Sequence, residues 1–317
     1  MKKIIPLLAL LILSNSCDDG DLEIKNIDFS EVTAQKCSEK DVIYKIKDKE
    51  MLVLSIPAST FISDETTAGS PIELSINSTN QVVYRQYNAD VSSDNICPTI
   101  PSATPSLLEE WTATAGTIQI TTTAVKTTDE TTNATRITGY KHYIVFKNIT
   151  FQKPNGTQVY ETYVFGNYTT TITSLPFTFD ELADKSSCSD IIYNFNGSEV
   201  LSLNTSNYNT LFENTVTTTP RTALIDDSTV LKYQLFNNVI TNDYFCASTT
   251  PTSPLLTQEW TGVNGVSGVS GIIEVSTTTY GTGFQHTIHL KNVSLKKGNS
   301  TFSLGTDYLF GSFIVNP

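Results

Sequence analysis

The sequence has few basic residues. Lysine and arginine together number 20, against 32 aspartates and glutamates. A surface this acidic repels a phosphate backbone, because binding to nucleic acid requires lysine and arginine to neutralise charge. We therefore expect no nucleic-acid partner, and the acidity predicts solubility and resistance to self-association.

Catalytic and cofactor-binding motifs are also lacking. The chain contains no G-x-S-x-G elbow, no H-E-x-x-H helix and no phosphate-binding loop. His286 and His289 lie three residues apart in a predicted strand and so point to opposite faces, which argues against a shared metal. We expect these two and His142, which complete the 3 histidines, at surface or half-buried strand positions. The sequence predicts no catalytic residue, no metal and no cofactor.

Long hydrophobic runs are missing except at the start of the chain. Lys2 and Lys3 precede an apolar run of about ten residues, typical of a secretory signal and too short for a membrane span of roughly 20 residues. The run ends in Ser14-Asn15-Ser16-Cys17, which resembles the lipobox of bacterial lipoproteins. The resemblance implies removal of residues 1–16 and a membrane anchor through lipid on Cys17. The alternative is an ordinary secretory signal followed by an incidental cysteine.

Acidic residues fill the spacer that follows, residues 17–23. They are Asp18, Asp19, Asp21 and Glu23. The cluster resembles the export tag that carries lipoproteins of Bacteroidetes, flavobacteria especially, to the outer face of the outer membrane, and so implies a cell-surface location. A solvated spacer and a periplasm-facing anchor are the alternatives. Without residues 1–16, which hold two lysines and no acid, the chain has 18 basic and 32 acidic side chains.

The rest of the chain is a tandem repeat. Many pairs of identical residues are separated by 149 positions. These pairs include Cys97 and Cys246, Trp111 and Trp260, Glu110 and Glu259, and Tyr84 and Tyr233. About one residue in seven is threonine, which favours strands, and no long helical period appears after residue 16. We predict an all-β fold of two homologous domains, sandwich-like or barrel-like, over residues 24–174 and 175–317.

Of the five cysteines, each copy contains two, and one precedes the first copy. Because each copy must be complete by itself, we predict one internal disulfide in each, Cys37 with Cys97 and Cys188 with Cys246. Cys17 is then the odd cysteine, which suits a lipid anchor. The alternative is that these cysteines are free thiols or hold a metal. No cysteine has a second cysteine or a histidine at the spacing that metal ligands require.

Each copy contains one tryptophan, 14 residues after a cysteine. In one interpretation Trp111 and Trp260 each stack on a sugar ring, with the preceding glutamate holding hydroxyls. In the other, which we favour, each indole is buried against the disulfide as a core anchor, because its large apolar area favours burial.

Two local features accompany the repeat. Within 142–151, and within its counterpart 286–295, the alternating apolar residues change from one face of the strand to the other. One inserted residue would explain the change, which predicts a β-bulge near Asn148 and near Asn292. The threonine-rich hairpin tip 127–135 has no counterpart of equal length in the second copy, and we expect it to be mobile.

The whole pattern resembles the repeat lipoproteins of flavobacterial genomes, which implies a location and no activity. Our first hypothesis is a surface-anchored, non-catalytic binding or adhesion module, in which Thr-, Tyr- and Asn-rich sheet faces or loops contact a glycan or a protein. The alternatives are a structural or accessory subunit of an outer-membrane complex and a polysaccharide hydrolase with a site dispersed over loops.

Overall fold

Residues 26–316, which the computed structural model describes, fold almost entirely into β-strands. The predicted all-β class is therefore confirmed. The predicted signal peptide 1–16, the predicted lipidation site Cys17 and the predicted spacer 17–23 lie outside the described residues. None of the helices in the described part is long and apolar enough to cross a membrane.

The first half forms one sheet. Its strands are β1 (Gln35–Lys36), β2 (Val42–Lys47), β3 (Glu50–Ser55), β4 (Ile72–Ser75), β5 (Gln81–Tyr87), β6 (Leu107–Thr128), β7 (Thr135–Lys153) and β8 (Gly156–Thr171), with short 3₁₀ segments at Ala58–Thr60 and Ser93–Asn95. They pair in the order β1-β2-β3-β5-β6-β7-β8, and β4 pairs with the far part of β6. Leu52 and Tyr84 share one buried cluster with Ile118 and Ile144. The long strands therefore bend, so that the two ends of the sheet face each other across the core.

The second half repeats this arrangement with shorter elements. These are β9 (Asp184–Lys185), β10 (Ile192–Asn196), β11 (Glu199–Thr205), α1 (Tyr208–Leu211), β12 (Arg221–Leu224), β13 (Thr229–Phe236), α2 (Asn242–Cys246), β14 (Leu256–Gly262), β15 (Ile272–Tyr280), β16 (Gly283–Lys291), β17 (Ser294–Lys297), β18 (Ser300–Ser303) and β19 (Asp307–Val315). They form two sheets, β18-β17-β14-β13-β11-β10-β9 and β12-β15-β16-β19. Leu201 and Tyr233 of the first sheet pack with Ile273 and Ile288 of the second, so the core lies between the sheets.

The two halves differ because the long strands of the first are divided in the second. Strand β6, 22 residues long, corresponds to β14 and β15, and β7, 19 residues long, corresponds to β16 and β17. Every strand ladder within residues 26–316 joins strands of the same half.

The predicted bulge is confirmed in the first half. The ladder between β6 and β7 shifts register between Ala115 and Thr117, opposite Asn148, whose φ is 49°. In the second half Asn292 has a φ of 50° and lies where β16 ends and β17 has not yet begun. Asparagine tolerates this left-handed conformation better than most residues, which explains its use at both sites.

The predicted disulfides are also confirmed. Cys37 pairs with Cys97 at a Cα–Cα distance of 5.2 Å, and Cys188 pairs with Cys246 at 5.7 Å. The first bond lies in a small cluster with Met51 and Val53, on the opposite face of β3 from Leu52. Strand β3 is thus buried on both faces, which explains its unbroken apolar run.

We predict that Gly116→Ala destabilises the first half more than Gly156→Ala. Both glycines have positive φ, 125° and 106°. A Cβ on Gly116 would lie 2.7 Å from the Ile149 Cα across the bulge, whereas one on Gly156 meets nothing within 4 Å. The comparison isolates the clash from the backbone strain, and we expect urea unfolding to give a difference of roughly 2 kcal/mol. Equal losses would show that the bulge relaxes freely.

Candidate functional site

Both tryptophans lie in the core. Trp111 is 1% exposed and packs on Tyr84 at 4.9 Å between ring centroids, and Trp260 is 5% exposed and packs on Phe302 at 5.0 Å. The ligand-stacking interpretation is therefore wrong, because neither indole presents a face to solvent. The indoles also do not pack against the disulfides: Cys37 belongs to a separate cluster on the opposite face of the sheet.

Two of the histidines correct an expectation. His142 and His286 are fully buried, not at surface or half-buried positions. The Nδ1 atom of His142 lies 2.9 Å from the Thr122 hydroxyl, and that of His286 lies 2.8 Å from the Thr277 hydroxyl. Burial lowers the pKa of each imidazole to about 4, and the positive charge of Arg221 contributes at His286. These neutral histidines pair with threonine across neighbouring strands, which lets the core accept a polar ring.

The third histidine lies on the outer face, opposite to His286 as predicted. The Nδ1 atom of His289 is 2.7 Å from Asp307 Oδ1. Lys291 donates to Asp307 Oδ2 at 2.5 Å and lies 3.6 Å from Glu274. Within residues 26–316, no group of three or more His, Cys, Asp or Glu side chains is placed to hold a metal ion.

The hairpin tip 127–135, which we expected to be mobile, docks on the second half. The backbone N–H of Thr306 donates to the Thr132 carbonyl at 3.0 Å. The N–H of Ser303 donates to the Thr135 hydroxyl at 2.8 Å. The tip therefore has hydrogen-bond partners in the second half. Comparing the sequences of the two copies could not reveal these partners.

A cleft of about 410 Å³ lies where the tip meets the second half; we call it the junction cleft. Its lining includes Thr128, Asp129, Thr132 and Arg136 from the first half, and Asp307 and Tyr308 from the second. A ligand here would contact both copies at once.

The two carboxylates of the junction cleft are ionised at neutral pH. Backbone hydrogen bonds from Thr132 and Thr131, at 2.9 and 2.8 Å, lower the pKa of Asp129. Burial opposes ionisation of Asp307, but the hydrogen bonds from Lys291 and His289 outweigh it and lower its pKa. Both side chains therefore present carboxylate oxygens, which can only accept hydrogen bonds.

The remaining wall is aromatic and cationic. The Tyr308 ring lies edge-on to Phe177 at 5.4 Å, and burial raises the pKa of its phenol to about 12. The Arg136 guanidinium donates to the carbonyls of Thr135 and Ser303 at 2.7 and 3.3 Å. Carboxylates, threonine hydroxyls and a tyrosine ring together suit a ligand that carries many hydroxyl groups on a partly apolar frame.

Other polar surfaces are repeated in the two halves. Each outer sheet face carries a row of small or hydroxylated side chains across three paired strands. The rows are Thr121, Tyr143 and Asn167 in the first half, and Ser276, Thr287 and Ser312 in the second.

A further cleft of about 400 Å³ lies beside β12, lined by Arg221, Thr222 and Ser228. The Arg221 guanidinium of that cleft is bound to Thr215 and Thr277.

Sequence reasoning missed the junction cleft, although one signal pointed to it. The tip that forms one wall is the part of the first copy that the second copy lacks. No family model, no curated protein and no solved structure matches the chain, so its function is argued from this geometry.

We predict that the buried histidines make the protein acid-sensitive. Each binds a proton in the unfolded chain near pH 6.5 and in the folded chain near pH 4. Stability is therefore fully present above pH 6.5 and is lost as the pH falls towards 4, by about 3 kcal/mol per histidine. His142→Asn and His286→Asn should each flatten the difference in urea unfolding free energy between pH 7 and pH 4. His289→Asn is the exposed control, and an equal flattening in that variant would contradict the assignment.

Proposed function

We propose that the protein is a lipid-anchored lipoprotein of the cell envelope that binds a polar ligand, without catalysis, in the junction cleft. The observation that carries this proposal is that one polar cleft is built from both repeats. Duplication alone would produce two equivalent sites, whereas docking of the tip creates a third surface that neither copy has by itself.

The lining favours a neutral glycan. Asp129 and Asp307 supply acceptors, and threonine hydroxyls can both donate and accept. The chain carries a net charge of −12, which disfavours polyanionic ligands. A protein ligand at the cell surface is the second candidate within the same function, because hydroxyl rows lie on the outer sheet faces of both halves.

The cellular location is proposed from chemistry at the start of the chain and from the disulfides. Two disulfides indicate an oxidising compartment. The fifth cysteine, Cys17, follows a short apolar run as a lipidated cysteine does. The acidic spacer 17–23 supports the outer surface of the outer membrane, and a periplasm-facing anchor is the alternative.

Binding is tested by calorimetry with neutral hexose oligomers on the protein lacking residues 1–17. We expect Asp307→Ala to weaken binding roughly tenfold or more, because a charged acceptor is lost. Glu274→Ala is the matched control: it removes another carboxylate beside Lys291 but does not line the junction cleft. Equal affinity in all three proteins would refute the junction site, and release of shorter sugars from the oligomer would favour the hydrolase alternative.

The anchor has its own test. We expect Cys17→Ala to release the protein from the membrane fraction into the soluble fraction, because the acylated thiol is lost. Cys17→Ser should behave in the same way. Retention of either variant on membranes would show that something other than lipid holds the protein there.

A further inference from the structure

The hairpin between β6 and β7 is much longer than its counterpart. The paired residues Thr122 and His142 are 20 positions apart, whereas Thr277 and His286 are 9 apart. The 11 extra residues belong to an arm, Lys126–Tyr140, that lies on the second half. We propose that this arm is a structural part of the second half, so that the second half depends on the first for its stability while the first does not depend on the second.

The arm delivers a cation to two aromatic rings of the second half. The Arg136 guanidinium lies over the rings of Phe177 at 4.6 Å and Phe302 at 5.4 Å. Phe177 in turn contacts Glu199, a residue only 3% exposed. Glu199 accepts hydrogen bonds from the Tyr233 hydroxyl and the Phe177 N–H, both at 2.6 Å. Removing the arm would strip the two aromatic rings of the cation that covers them and would leave the Ser303 carbonyl without its donor, which is destabilising.

The arm also contributes apolar surface to the core of the second half. Ile137 and Tyr140 belong to the same buried cluster as Trp260 and Phe302. The converse does not hold: the main cluster of the first half, as described, is built only from residues between 27 and 168. Loss of the second half would expose the arm but would leave that cluster complete.

A second residue of the first half also stabilises the second half. Asp64 accepts hydrogen bonds from the backbone N–H groups of Asn299 and Ser300 at 3.0 and 2.9 Å, and from the Ser300 hydroxyl at 2.7 Å. Burial opposes ionisation of Asp64, but these bonds outweigh it and lower its pKa. A Cβ at Gly298 would overlap the Asp64 carboxylate, so the β17–β18 turn is shaped to receive it. A carboxylate of the first half therefore caps a hairpin of the second.

Each half has one tryptophan, so the two halves can be followed separately in the full mature chain. Trp111→Phe leaves Trp260 as the reporter of the second half, and Trp260→Phe leaves Trp111 as the reporter of the first. In these two backgrounds we expect Arg136→Ala to lower the urea midpoint of the Trp260 signal by roughly 1–2 M. The midpoint of the Trp111 signal should stay unchanged, although the mutated residue lies in the first half.

Asp64→Asn tests the same claim at a second contact, in case Arg136→Ala prevents folding of the second half. We expect a smaller downward shift, again in the Trp260 signal alone. Arg85→Ala is the control, because Arg85 forms a surface ion pair with Glu110 inside the first half at 2.7 Å. The proposal is overturned if Arg136→Ala and Asp64→Asn shift both signals equally, shift the Trp111 signal alone, or leave the Trp260 signal where it was.

Discussion

The contact that couples the second repeat to the first is the Arg136 guanidinium, which lies over the rings of Phe177 and Phe302. It joins the two repeats, places a cation near the buried Glu199 carboxylate and holds the hairpin tip that forms one wall of the junction cleft. Planarity matters here, because a guanidinium can stack on aromatic rings while its edge donates hydrogen bonds. A lysine at this position would keep the charge and lose the stacking.

Polar pairs inside the two cores repeat as faithfully as the apolar residues do. Tyr84 donates to Glu50 at 2.5 Å in the first half, and Tyr233 donates to Glu199 at 2.6 Å in the second. The buried threonine–histidine pairs follow the same rule. Such pairs satisfy their members only in one strand register, so they add specificity to a core whose many β-branched side chains could otherwise pack in shifted registers.

The features that the sequence predicted correctly are those fixed by short-range pattern or by the repeat. Duplication selected the pairing of Cys37 with Cys97, and the phase flip located the bulge at Asn148. Features that depend on contact between the copies could not be predicted in this way. The docked tip near Thr132 looked like a mobile loop. The burial of His142 was missed although it alternates in phase with the buried Ile144 and Phe146, because a polar ring was expected to face solvent. The difference in length between the two copies at this hairpin is the sequence feature that indicates the cleft.

The position of the first disulfide has a consequence for how the protein would be damaged. The bond between Cys37 and Cys97 ties down a covering loop on the face of β3 that is turned away from the tryptophan. A reductant or a protease would therefore act first on that cover, and the ladder of strands beneath would survive the damage. A protein built in this way loses a covering loop before it loses its fold, and such damage would appear as nicked but still folded molecules.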